Sequence, residues 1–149
     1  MKYPDGTDIK VRDLIWWSEG TLVGHVQEIA ESEEEFQSWG LDEPALFVGN
    51  RLPYDPASEG ASYAPRHLEG EGVGKLNEAE IIEYDEAILR AKAISPEKWN
   101  GRWYAVELRF ERGKGSEWIF LLHGGWDVIE RIAVPRCSDI GGFIGSTRV

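Results

Sequence analysis

Two β-prone apolar stretches, Leu14-Ile15-Trp16-Trp17 and Leu22 to Ile29, flank Ser18-Glu19-Gly20-Thr21, which has turn chemistry. The pattern predicts a hairpin, with Gly24 as a bulge or a site of close backbone approach. Upstream, Tyr3-Pro4-Asp5-Gly6-Thr7 predicts a tight turn, because Pro presets φ and Gly permits it to be positive. Ile9 and Val11 then alternate with polar residues as in a short strand. Ser32 and Glu35 have the spacing of a capping box, and acids in a first turn suit the helix dipole. One or two helical turns should follow, ended by Gly40, with Phe36 and Trp39 sharing the buried face. Asp42-Glu43-Pro44 is a turn, and Ala45 to Val48 reads as a buried strand.

Residues 50–76 have no regular pattern and contain three prolines and four glycines. They read as an ordered but irregular surface excursion, with Tyr54, Tyr63 and Leu68 able to adhere to something. Asn77 and Glu80 repeat the cap spacing, and Ile81, Tyr84, Ile88 and Ala91 fall on one helical face. Ala87, Leu89, Ala91 and Ala93 also alternate, so the reading is a helix, or a helix that gives way to a strand near Ala87. Asn100-Gly101 is a turn signal. Tyr104, Val106, Leu108 and Phe110 alternate with mixed residues as in a strand with one apolar face. Gly113-Lys114-Gly115 turns the chain, and Trp118 to Leu122 is apolar on both faces, which predicts the sheet centre. Gly124-Gly125 turns again, and Val128 to Val134 returns as a third strand or a short amphipathic helix. An antiparallel meander should result, followed by a glycine-rich tail that frays.

These elements predict an α+β fold, mainly antiparallel β, with an SH3-like or barrel-like N-terminal portion and one or two helices. Residues 1–149 read as one domain. If subdomains exist they are 1–49 and 77–149, joined by the irregular segment 50–76.

The chain is 42% hydrophobic and 11% aromatic, as in a folded globule. Most of its seven Trp belong in the core or on sheet faces, with one or two free to serve as binding anchors. Its single cysteine, Cys137, cannot form an intrachain disulfide. The opening residues lack the apolar stretch of a secretory signal, and no run approaches the ~20 apolar residues of a membrane span. The expectation is a cytoplasmic protein with no membrane partner. Charge divides the chain: residues 1–86 carry twenty Asp or Glu against six Lys or Arg, whereas residues 87–149 carry seven against ten. With a net charge of −11 and no basic track, nucleic acid is an unfavourable partner.

No motif for catalysis stands out. His25, His67 and His123 share no metal-ligand spacing, so no metal or other cofactor is expected. His123, Asp127 and Cys137 make a triad only on paper, and no signature surrounds Cys137. Gly70, Gly72 and Gly74 lack the preceding strand and the lysine of a phosphate loop. What remains is the acidic surface. Glu28, Glu31, Glu33, Glu34, Glu35, Asp42 and Glu43 lie in a stretch without Lys or Arg. Such a run promotes solubility, or it captures a basic protein by charge with aromatic anchors beside it. The residues chosen for such a contact are Glu31, Glu33, Glu34, Glu35, Trp39, Asp42, Glu43, Tyr54 and Tyr63.

The opening Tyr3-Pro4-Asp5-Gly6-Thr7, the hairpin through Gly24 to Ile29, and Trp39-Gly40-Leu41-Asp42-Glu43-Pro44 before an apolar strand resemble small bacterial immunity proteins encoded beside secreted toxins. Arg12-Asp13 stands where those proteins carry Gly-Asp. The resemblance covers about the first fifty residues. It implies a non-catalytic protein whose partner is a toxin domain, neutralised by covering a basic surface or active site. It carries over no binding residue. Two other readings stand beside it: a small enzyme with a cleft between the two halves, and a peptide-binding or scaffold module.

Overall fold

Gly6 holds φ at +93°, the region a side chain disfavours, and so closes the first turn. The Tyr3 amide donates to the Thr7 carbonyl at 2.9 Å, and the Asp5 carboxylate accepts from both the amide and the hydroxyl of Thr7. Where Ile9 and Val11 predict a strand, there is only an isolated Lys2–Asp8 bridge. Ile9 is buried and Val11 exposed, so their alternation marks one inward side chain beside a turn. The computed structural model describes residues 1–18, 20–56, 58, 60–99, 102–109 and 117–136. The chain forms two compact units, Met1–Lys75 and Leu76–Val149. The irregular residues 50–75 therefore belong to the first unit.

The first unit is an antiparallel sheet. Its strands are β1 (Leu14–Trp17), β2 (Leu22–Ala30), β3 (Ala45–Gly49), β4 (Gly60–Tyr63) and β5 (Gly74–Lys75). They pair in the order β4-β3-β2-β1-β5. Tyr3, Ile9, Ile15, Val26, Leu46, Val48, Leu68 and Val73 form the core. Each large member contributes about 1.5–3 kcal/mol by burial, before the entropy of ordering it. Gly24 is a site of close approach: a Cβ there would collide with the Gly49 carbonyl on β3. The bulge falls three residues later, where the β2–β3 register slips between Val26 and Glu28. Helix α1 (Glu33–Ser38) has the predicted capping box at Ser32 and Glu35, and Gly40 follows at φ +77°. Phe36 and Trp39 are only half-buried, because so short a helix at the sheet margin buries no residue fully.

In the second unit, Asn77 and Glu80 form the capping box of α2 (Glu78–Ile94). The helix runs through Ala87 to Ala93 without becoming a strand. Tyr84, Ala87 and Ala91, spaced by three and four, are the residues it buries, while Leu89 is 67% exposed. Strands β6 (Tyr104–Arg109), β7 (Glu117–Gly124) and β8 (Asp127–Pro135) form the meander, with β7 central. Trp118, Ile119, Phe120 and Leu122 of β7 are buried. Gly125 turns the chain at φ +65°, and the return is a strand. The Trp118 indole donates to Glu83 at 3.0 Å, and Arg136 pairs with the same carboxylate. The Tyr84 and Tyr104 hydroxyls lie 2.5 Å apart, and burial holds the Tyr104 phenol up at about 12. Asn100-Gly101, Phe110, the turn at Gly113 to Gly115, Cys137 and the glycine-rich tail fall outside the described residues.

No helix among the described residues is long and apolar enough to cross a membrane.

Candidate functional site

The acids of the first turn of α1 are exposed but not equivalent. Glu35 accepts from the Ser32 and Glu31 amides, and those hydrogen bonds hold its carboxyl below the usual range. Glu31 pairs with the N-terminal ammonium group and Glu43 with Arg66. Glu33 accepts a hydrogen bond from Gln37 at 3.3 Å. Glu28, Glu33, Glu34 and Asp42 have no cationic partner among the described residues. Their charge is thus directed at solvent.

Beside this run is a hollow of about 480 Å³, within the size range of small-ligand sites. It exists for three local reasons. First, the bulge in β2 breaks the alternation of side chains, so the consecutive residues Gln27 and Glu28 both contribute to its wall. Second, α1 ends at Trp39, whose ring meets Phe47 of β3 edge-on at 4.2 Å between centroids. Third, β4 contributes only Gly60, Ala61 and Ser62, which leave the space unfilled. Gly60 also lets β4 approach β3, since a Cβ there would strike the Val48 carbonyl. Pro56 and Ser58 complete the rim. None of these lining residues is cationic.

Gln27 is 8% exposed. Its amide nitrogen donates to the Pro56 carbonyl, which fixes which end is oxygen. That oxygen, Oε1, has no hydrogen-bond partner among the described residues. Ser58 Oγ accepts from the Arg51 amide at 2.8 Å. Gln27 Oε1, Ser58 Oγ and His25 Cε1 converge on Gly49, where a Cβ would lie 2.8, 2.7 and 2.5 Å from them.

His25 is 1% exposed, and neither ring nitrogen has a partner within hydrogen-bonding geometry among the described residues. Burial pushes its pKa down, while nearby backbone groups of Val26 and Arg51 and the Asp55 carboxylate pull weakly the other way. The Tyr54 ring tilts against it at 4.5 Å, and the Arg12 guanidinium lies 4.3 Å from the Tyr54 centroid. Arg12 has φ +81°, an uncommon conformation for a residue with a side chain. The segment between β3 and β4 reaches this position through a cis Leu52–Pro53 bond.

The residues expected at an interface therefore separate into groups. Trp39 lines the larger hollow. Asp42, Glu43 and Tyr63 line a smaller one of about 180 Å³, and Ser62 lines both. Tyr54 is joined to His25 and Arg12 instead. Glu31, Glu33, Glu34 and Glu35 surround the α1 start and line neither hollow. Sequence reading missed Gln27, Phe47, Ser58 and Ser62. Only the consecutive polar pair Gln27-Glu28 inside an otherwise apolar strand pointed to them. Among the described residues no group of His, Cys, Asp or Glu could hold a metal ion.

The fold and the site together define an antiparallel α+β protein with an acidic, aromatic-lined hollow on its first unit. No protein-family model, curated protein or solved structure matches the chain.

Proposed function

We propose that this chain is an immunity protein that binds a basic toxin domain in the bacterial cytoplasm and neutralises it by covering its surface. The observation that carries the reading is the set of exposed carboxylates without cationic partners among the described residues, Glu28, Glu33, Glu34 and Asp42, on a unit whose aromatic-lined hollow has Glu28 in its wall. Unpaired surface charge of one sign accelerates capture of an oppositely charged partner, and a desolvated aromatic beside it holds the complex. Arg12 adds support. Its φ of +81° is one that glycine adopts freely, and Gly is what the resembled immunity proteins carry there.

The test is capture from the lysate of the native host at low and high salt, with retained proteins identified by mass spectrometry. One basic protein, weakened at high salt, is expected. A Glu33→Lys/Glu34→Lys variant should then associate about tenfold more slowly with a flatter salt dependence. Retention of no basic protein at either salt, or unchanged kinetics in the variant, refutes the reading.

A further inference from the structure

The structure carries a more specific inference, which rests on the reading above: we propose that the hollow between the β2 bulge, Trp39 and β4 receives an arginine side chain of the basic partner. The wall presents the Glu28 carboxylate, the Ser58 and Ser62 hydroxyls and the Gln27 amide. Gln27 Oε1 is a buried acceptor without a donor among the described residues. That oxygen lies behind the wall against Gly49, so it acts as a fixed dipole that adds negative potential beside the Glu28 carboxylate. What the site lacks is donors with positive charge, and none of its lining residues supplies one.

The shape narrows the class. A guanidinium is planar, always charged, and presents five donors in a fixed fork. Trp39 and Phe47 offer aromatic surface for its flat face, and a cation over an indole is favoured electrostatically. The carboxylate of Glu28 can take two of the donors and a serine hydroxyl of the wall a third. An ammonium group is compact and strongly hydrated, so a lysine would satisfy fewer of these acceptors and stack less well. Anionic ligands are opposed by Glu28 and by the exposed acids of α1. The small residues of β4 leave the room, and the bulge places Gln27 and Glu28 in one wall.

The experiment is an NMR titration of the full chain with three blocked amino acids: N-acetyl-arginine amide, its lysine counterpart and its citrulline counterpart. Citrulline has the arginine shape without the charge. The arginine probe should bind in about the millimolar range, as one side chain without its protein does. It should shift the Gln27, Glu28 and Ser62 amides and the Trp39 indole. The lysine probe should bind at least about fivefold more weakly, and the citrulline probe should not bind measurably. Glu28→Gln, at an exposed position, should weaken the arginine probe about tenfold with an unchanged thermal midpoint. Trp39→Leu should remove the preference for arginine over lysine.

Equal binding of citrulline, shifts elsewhere on the chain, or indifference to Glu28→Gln overturns the proposal. The two readings fail separately. If a basic partner is captured but Glu28→Gln and Trp39→Leu leave its affinity unchanged, the arginine site falls and the immunity reading stands. If the arginine probe binds as described but no basic protein is captured, the site stands and the immunity reading falls.

Discussion

Replacing Gly49 with alanine tests the packing that builds the hollow. Gly49 lies on β3 opposite His25. A Cβ there would sit 2.5 Å from His25 Cε1, 2.7 Å from Ser58 Oγ and 2.8 Å from Gln27 Oε1. Carbon atoms pack best at roughly 3.5–4.0 Å, so the imidazole would have to retreat by about 1 Å. It has little room, being 1% exposed with the Tyr54 ring against it. Forcing one methyl into such a site costs about 1–3 kcal/mol. The alanine recovers about 0.4–1 kcal/mol by restricting the unfolded chain. The net expectation is a loss of roughly 1–2 kcal/mol, which at a urea m-value near 1.5 kcal/mol/M moves the midpoint down by about 1 M. The assay is urea unfolding followed by tryptophan fluorescence. Gly70→Ala is the control, because the nearest atom to its new Cβ, His67 O, lies at an ordinary 3.9 Å. Gly70→Ala should be neutral or slightly stabilising. If Gly49→Ala behaves like Gly70→Ala, then His25, Gln27 and Ser58 do not close on Gly49, and the wall of the hollow is not as described. The same variant should weaken any ligand of the hollow, since two displaced groups, Gln27 and Ser58, line it.

Three other outcomes are expected. His25 has a folded pKa below its ordinary 6.5 because burial disfavours the charged form. Its contribution is therefore complete above pH 6.5 and is lost as pH falls below it, so urea midpoints should drop between pH 7.5 and 5.5, and His25→Leu should flatten that drop; an equal drop in both proteins would refute it. Arg12→Gly should change stability by less than about 1 kcal/mol, because relief of the positive φ offsets lost cation–π contact and added unfolded-state freedom. Arg12→Val should cost about 2 kcal/mol, since a β-branched residue tolerates that φ poorly, and the reverse order in thermal unfolding would contradict the assignment. Glu83→Ala should cost about 3 kcal/mol by calorimetry, because it removes the acceptor 3.0 Å from the Trp118 indole nitrogen and leaves Arg136, 16% exposed, without the Glu83 carboxylate; a loss under 1 kcal/mol would show that neither contact matters.

Local chemistry explains which parts of the fold were readable. The capping boxes at Ser32 and Asn77, the turn at Gly6 and the apolar run of β7 each follow from a few adjacent residues, and each is present. The alternation at Ile9 and Val11 was too short to distinguish a strand from a single inward side chain. The alternation from Ala87 to Ala93 was overridden by the three-and-four spacing of Tyr84, Ala87 and Ala91, which buries one helical face. Residues 50–75 read as an excursion because β4 and β5 are only four and two residues long, below the length at which a period of two is visible.

The site was harder to read for a different reason: its defining property is a mismatch between strands. Gln27 is extra only with respect to β3, because Val26 faces Val48 and Glu28 faces Phe47. A register is a relation between segments about twenty residues apart, and no window on β2 alone contains it. Acidity is a sum over residues, so composition shows it at once. The hollow instead needs a bulge on one strand, a helix that ends at a tryptophan, and three small residues on a third element. Each of these is unremarkable alone. Residues 60–62 read as part of an irregular excursion, Trp39 as a helix residue and contact candidate, and Glu28 as one member of an acidic run. Their meaning appears only when β2, β3 and β4 are paired, and then the bulge sets Gln27 and Glu28 in one wall. Charge and pairing therefore draw attention to different carboxylates: Glu31 pairs with the N-terminal ammonium group and Glu35 caps α1, while Glu28 stands in the wall of the hollow.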